Sequence, residues 1–540
     1  MAWNAELSTL NPFYWHVISE LDTLQLIYDT PFKVDQNGTL IPWLVESYEY
    51  DEEDMQFVFH LVRNATWHDG QPVTAEDFKY SIEFVRDHTL PYLGSVGEVI
   101  DSAEAIDTYT VAVTLKQPFS PIPLIMSDIF FVVPKHIWET VSDPGTFTND
   151  NPVGSGPFKF VERRAGEYIM LEKNTNYFKG SPKIDKVIIK IIPSTDVQIL
   201  ALKTGELDVA ELTPGPAVRD LMTEPNIRIV LAPSTYFTYL SLNLRRYPIN
   251  LVEFRRAVAH AIDKDLLVST IILGMGDVAH SLLVPGLRYW YNPNVTKYEY
   301  NVTKANQILD EIGFLDTNGN GMREYPNGTE IVLDMPTYNV DIWPRLSELL
   351  AGMLEDVGIN VNVIPGEPNT ILDMVLNRWD FDLFPLGWRL YFDPDPFIYE
   401  SFHSSRIGHW GLNWAGYNST EFDTLAEQQR MSATPEERRP YLLQMQEVLA
   451  LDLPWIPLWY QDLVYAVRTD TIEGWIAVPR YGLRNTLCYL SLHAVGGPTE
   501  TKPPDYTLLI LGSVIVILVI IIGAVAYILY AKKKATRGTS

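Results

Sequence analysis

At 540 residues the chain is too long for one compact core, so two or three lobes are expected. A net charge of −27, from 41 basic and 68 acidic side chains, argues against nucleic acid as a partner, because that role needs a basic surface. The single cysteine, Cys488, excludes an intrachain disulfide, and no paired-His motif marks it as a nucleophile.

The chain opens MAWNAELSTLNP, a strand end running into a loop, with no basic stretch and apolar run of the signal-peptide kind. A short helix is expected from Glu20 to Asp29, and a hairpin turn at Val34–Leu40. Gln56–Leu61 alternates, with Phe57, Phe59 and Leu61 on one face, and predicts a half-buried strand. Asp69-Gly70 is turn chemistry, so His68-Asp69 is read as structural, not as an acid/base pair. Thr74 caps the next helix with Asp77 as its reciprocal partner, and Phe78, Ile82 and Val85 mark its apolar face. Thr110–Leu115 is a second alternating strand.

Asp316-Thr317-Asn318-Gly319-Asn320-Gly321 copies the first half of a calcium loop, with oxygens from Asp316, Asn318 and Asn320. Position 12 is Asn327 and not a bidentate Glu, so an exposed turn without metal is expected. His403 and His409 lie six apart with no cysteine nearby, and no metal is assigned to them. The chain contains no GxxxxGK[ST], no G-x-S-x-G and no H-E-x-x-H, so neither ATP hydrolysis nor those hydrolytic chemistries are expected. No enzyme activity and no cofactor are assigned.

Gly387–Tyr417 concentrates Trp388, Tyr391, Phe392, Trp410, Trp414 and Tyr417 with Arg389, Asp393, Asp395 and Asn413. Ring faces beside a few polar groups suit a pocket for a polar solute with apolar patches.

Gly496–Pro504 is a short Gly/Pro/Thr linker. Thr507–Ala531 then runs without a charge, long enough as a helix for a hydrocarbon core of roughly 30 Å. Tyr506, Tyr527 and Tyr530 stand near its ends, and Lys532, Lys533, Lys534 and Arg537 follow, which places the tail in the cytoplasm. The large body is therefore expected outside the cell on one C-terminal anchor, in a single pass. Export with no visible signal suggests that the amino terminus is incomplete. Six sequons, at Asn37, Asn64, Asn294, Asn301, Asn327 and Asn418, fall on the expected outer side.

A resemblance runs down most of the body. FVFHLVRNATWHDGQPVTAEDFKYSIEFV (57–85), NPVGSGPFKF (151–160), NTNYFKGSPKIDKVIIKII (174–192), LKTGELDVA (202–210), YLSLNL (239–244), FRRAVAHAIDKDLL (254–267), DFDLFPLGW (380–388), DPDPF (393–397) and MQEVLALDLPWIPLWY (445–460) resemble, in order, family 5 extracellular solute-binding proteins. These are the dipeptide/oligopeptide-type receptors of ABC importers. MAWNAE resembles only the end of that family's first strand.

The resemblance implies an α/β fold of the periplasmic-binding-protein kind, with two hinged lobes and an inserted smaller domain. Lobe I is expected at 1–43, 153–250 and 465–495, the insert at 44–152 and lobe II at 251–464. The linker then covers 496–506, the transmembrane helix 507–531 and the cytoplasmic tail 532–540. The Gly154-Ser155-Gly156-Pro157 turn would return the chain to lobe I. The implied partners are permease subunits with separate ATPase subunits. The resemblance also places Tyr236, Phe237 and Tyr239 on a strand bordering the cleft, and Tyr28 and Asp29 on a loop facing it. With Trp388, Arg389, Tyr391, Asp393, Trp410, Asn413, Trp414 and Tyr417 these form the expected ligand-binding set.

One departure matters. Peptide-binding members resemble Gly-Trp-x-x-Asp, whose Asp pairs with the peptide ammonium, but here Gly387-Trp388-Arg389-Leu390 leads to Tyr391. A tyrosine supplies no anion near neutral pH, and Asp393 replaces it only if the loop shifts by two. The ligand class thus stays open between peptides and oligosaccharides, with a solute sensor without transport as the other alternative.

Overall fold

Residues 1–496, except 4–5, 16, 89, 91–92 and 409–410, are described by a computed structural model. Among the described residues no helix is long and apolar enough to cross a membrane, and the expected span at 507–531 lies outside them.

Helix α1 (Ile18–Ile27) begins where the Glu20 carboxylate accepts the N–H groups of Ser8 and Thr9, at 2.7 and 3.1 Å. Thr9 is buried, and its N–H would otherwise lack a partner there. Strand β1 (Phe32–Val34) pairs with Leu40–Pro42 around the expected turn, where Asp35 accepts the N–H groups of Asn37 and Thr39 at 2.8 Å each. A four-stranded antiparallel sheet follows, in the order 45–51, 56–61, 110–115, 100–107. Helix α2 (Ala75–Asp87) buries Phe78, Ile82 and Val85 completely, as the i, i+4, i+7 spacing predicts. Its first turn is fixed by Thr74, whose N–H donates to Asp77 at 2.9 Å.

The Gly154–Pro157 turn packs directly on the end of α1. A Cβ on Gly154 would lie 1.9 Å from the Ile27 carbonyl oxygen, which accepts the Gly156 N–H at 2.8 Å. Only glycine fits there, so the turn is a contact surface as well as a reversal. A second four-stranded sheet joins 158–164, 168–173 and 186–191 to Ala2–Trp3, which pairs in parallel.

The central sheet is built on strand β2 (Ile227–Leu242), strand β3 (Leu383–Arg389) and, after helices α3 (Thr420–Met431) and α4 (Pro435–Asp452), strand β4 (Trp455–Arg468). Its order is 209–212, β4, β2, β3, with 276–278 also on β4. The long pair β2–β4 runs through two differently cored regions. From Ile227↔Arg468 to Ala232↔Leu463 it packs on cores made with residues 2–221 and 478–492, joined by Met275 and Phe392. From Tyr236↔Gln461 to Ser241↔Trp455 it packs on cores drawn from 237–460. Between them the register shifts at Pro233-Ser234-Thr235. A proline offers no ladder N–H, which is why pairing breaks there. The Ser234 hydroxyl donates to the Gln461 carbonyl and keeps the strands tethered across the break.

Candidate functional site

The two regions meet at the end of β3 and the loop after it. Tyr236 pairs with Arg389, Phe237 with Trp388 and Thr238 with Gly387. Phe237 and Trp388 therefore share one face and both approach Phe397, at 5.6 and 6.2 Å between ring centroids. Tyr236 and Arg389 share the other. A Cβ on Gly387 would lie 1.8 Å from the Tyr236 hydroxyl, so this glycine leaves the space in which the phenol lies across β3. Burial pushes that phenol up to about 12, opposed by the nearby Arg389 charge, so it stays a neutral donor.

Arg389 reaches toward Glu211, 3.8 Å away, and keeps 18% of its side chain exposed. Glu211 is already held by the Tyr465 hydroxyl at 2.8 Å and by an ion pair with Arg484, which also pairs with Asp22 at 3.0 Å. The loop at 390–392 is clamped by a buried group. Arg480 pairs with Asp128 at 2.9 Å and donates to the Leu390 carbonyl at 2.7 Å. Its guanidinium lies 4.6 Å from the Tyr391 ring centre. Asp128 also accepts the Phe392 N–H at 3.2 Å and the Tyr481 hydroxyl. Phe392 packs in the same core as Tyr481, while Leu390 and Phe397 belong to the core of the other region.

The structure brings four of the expected ligand residues together with partial exposure: Tyr236, Trp388, Arg389 and Tyr391. The other described ones are buried in contacts within the protein. Asp393 is fully buried in a bidentate pair with Arg438, at 2.5 and 2.6 Å, so its carboxylate is committed and not open to a solute ammonium. Asp395 is bound likewise by Arg430, at 2.8 and 2.9 Å. Asn413 bridges the His403 and Tyr417 carbonyls at 3.1 and 2.8 Å. Trp414 donates to Ser241 at 2.9 Å and stacks on Trp455, and Tyr417 donates to Asp452 at 2.6 Å. Phe237 and Tyr239 are core, with Tyr239 stacked 4.1 Å from Trp455. Tyr28 is buried and accepts from Asn149 at 2.8 Å. Asp29 is buried and accepts from Trp43, Tyr177 and Ser155, at 2.9, 2.8 and 2.9 Å. Burial pushes its carboxyl above the usual range, opposed by Lys33 and these donors. Trp410 lies outside the described residues.

In the loop at Asp316, the side-chain oxygens accept the N–H groups of Gly319, Asn320 and Gly321 at 2.7, 3.2 and 2.9 Å. Asn318 and Asn320 turn their oxygens to the N–H groups of Asn320 and Met322, at 2.9 and 2.8 Å. This is a self-satisfied turn. Among the described residues no group of three His, Cys, Asp or Glu is arranged to hold a metal ion.

Lys33, Asp128, Glu211, Arg480 and Tyr481 were not among the expected set. For Lys33 a signal existed: it is a charge between Phe32 and Val34 in a strand with no exposed position. The other four take part through contacts 90 to 353 residues apart in sequence, which no local pattern announces.

The mixed helices and sheets, with long strands shared between two cored regions, define the class: an α/β fold of the periplasmic-binding-protein kind. Residues 39–409 match the model of bacterial extracellular solute-binding proteins, family 5, and the chain belongs to that family. It is 28% identical over 489 residues to the oligopeptide-binding protein AppA of Bacillus subtilis, covering 89% of each chain. It is 24% identical to the heme-binding protein A of Haemophilus influenzae, covering 84% of this chain and 85% of that one. The solved structure of Bacillus subtilis AppA with a nonapeptide superposes with a TM-score of 0.74 at 27% identity, covering 92% of this chain and 98% of that one.

Proposed function

We propose that this chain captures a peptide-type solute at the seam between its two bodies and delivers it to the permease subunits of an ABC importer driven by separate ATPase subunits. The observation that carries this reading is the β2–β4 pair, shared by both bodies and interrupted at Pro233–Thr235. A hinge of that kind lets one body close on a solute held by the other. Support comes from the likeness to AppA, whose structure holds a nonapeptide. The lobe division, with an insert at 44–152 and lobe II at 251–464, belongs to the same proposal, with the bend itself at 233–235. So does the anchor at 507–531, which would hold the body on the outer face of the membrane.

A thermal-shift series on the full chain in detergent tests the reading, with di- to octapeptides against cello-, malto- and xylo-oligosaccharides. A solute that binds the folded state raises the melting temperature by mass action. Peptides are expected to do so; a shift with oligosaccharides alone overturns the peptide reading. Labelling of intact cells with an impermeant lysine reagent, expected to reach the body and to spare Lys532–Lys534, tests the orientation.

A further inference from the structure

The single-turn helix Pro285–Trp290 lies against the break at 233–235. Gly286 is pressed onto β2 there: a Cβ on it would lie 2.5 Å from the Ser234 carbonyl oxygen. Two residues on, the Arg288 stem meets the tip of the β1 hairpin. A Cβ on Gly38 would lie 3.8 Å from the Arg288 Cβ and 3.3 Å from its Cγ. The hairpin belongs to the first body through Phe32 and Val34, and the turn to the second through Leu287 and Trp290. One short turn thus touches both the bend and the opposite body.

Both pieces are braced. At the hairpin tip the Asp35 carboxylate accepts the N–H groups of Asn37 and Thr39, and its carbonyl accepts that of Gly38 at 3.0 Å. On the other side α4 holds the turn by its carbonyls. Arg439 donates to Tyr289 at 2.7 Å and Gln446 donates to Trp290 at 2.8 Å. Arg288 has φ 44° and ψ −89°, a positive-φ backbone that a residue with a side chain adopts only where its surroundings impose it.

From this geometry we infer that the Gly286–Arg288 turn is a mechanical stop, which ends the bend at 233–235 when the hairpin tip bears on the Arg288 stem. Among the described residues no hydrogen bond or ion pair joins the tip to this turn. A contact of packed stems alone resists compression steeply and separation hardly at all. It therefore limits the bend in one direction and leaves the other free. Gly286 lets the turn reach the Ser234 carbonyl, and Gly38 lets the tip reach the arginine, so the position of the stop is written into two glycines. This inference rests on the hinge motion of the reading above and adds the residues that end its stroke.

The test uses the full chain in detergent. In Gly38→Cys with Arg288→Cys the two Cβ atoms stand 3.8 Å apart, which suits a disulfide. The native Cys488 is buried, with its thiol pushed up to about 12, and does not compete. Mild oxidation is expected to close the bond and turn a one-way stop into a two-way tie. Amide hydrogen exchange across 231–237, read by mass spectrometry, should then slow about fivefold or more against the reduced protein. Arg288→Gly removes the stem and relieves the positive φ, so it should melt no lower than the wild type while the same amides exchange about threefold or more faster. Failure of the bond to close, or equal exchange in the oxidised and reduced forms, overturns the stop. Unchanged exchange in Arg288→Gly does the same. If Arg288→Gly melts lower, the cysteine pair decides, and if the cysteine pair fails to fold, Arg288→Gly decides. Retention of a peptic casein digest by the wild type keeps the two readings apart. No retention overturns peptide capture and leaves the stop to the exchange data; retention with exchange equal throughout overturns the stop alone.

Discussion

Asp393 and Lys33 are both charged, both buried and both near the seam, yet they are handled in opposite ways. Asp393 has Arg438 across two short bonds, and Gln429 in turn accepts from the Arg438 Nε at 2.7 Å. Lys33 has two acids in its field and no bond to either. Saturated charge marks framework, since everything it needs is inside the protein. Unsaturated charge keeps its desolvation cost, and burial lowers the Lys33 ammonium to about 8.

That contrast breaks most sharply at the framework end. Asp393→Leu strands Arg438 in the core and is expected to destabilise the body by about 3–5 kcal/mol. Asp393→Leu with Arg438→Met should recover most of that loss. Denaturant unfolding of both variants checks it, and a double variant as unstable as the single one would mean that Asp393 does more than pair.

Gly387→Ala comes next. Its new methyl collides with the Tyr236 hydroxyl, so the cost should be about 1–3 kcal/mol. It should also disturb solute capture, because the phenol must leave the seam. Tyr236→Ala in the same chain should restore the melting temperature and not the capture.

Lys33→Met should move the other way, raising stability at pH 7 by about 1–2 kcal/mol, since an apolar group replaces an unpaired charge. The pH dependence carries its own sign. The folded value near 8 lies below the unfolded 10.5, so between them the unfolded chain holds a proton that the folded chain has released. Stability of the wild type is therefore penalised below about pH 8 and rises toward pH 10.5. Asp29 and Asp128 face this lysine in both variants, and Lys264, also lowered to about 8, keeps its own rise in both, so the difference between the two curves isolates Lys33.

The smallest effect is expected for Arg389→Gln. Its partner is 3.8 Å away and the pair is partly wet, so the stability change should stay within about 1 kcal/mol. A larger loss by calorimetry would place Arg389 among the framework charges.

Much of the scaffold was legible because it rests on local patterns. The Thr74 cap, the α2 face at Phe78, Ile82 and Val85, and the alternation of Gln56–Leu61 are set by residues within one or two turns of each other. The site was legible only in part. Trp388 and Trp414 look alike in a sequence, yet one is partly exposed at the seam and the other is 1% exposed in a stack with Trp455. Side-chain type does not tell which face of a fold a ring will meet. Asp393 read as the available anion because its partner stands 45 residues later, on α4. Spacing within a loop carries no trace of such a pairing.

The break at Pro233–Thr235 also bears on how the molecule moves. Its two strands stay hydrogen-bonded on both sides of the break, and the Ser234 hydroxyl spans it. Under the proposed hinge motion this would act as a flexure: a continuous strip that bends at a thinned point, with no sliding surfaces and no clearance. A flexure returns its two ends to one alignment after every cycle. The seam residues of β3 and their counterparts at Asp128 and Arg480 would then meet in the same register each time a solute is taken up and released.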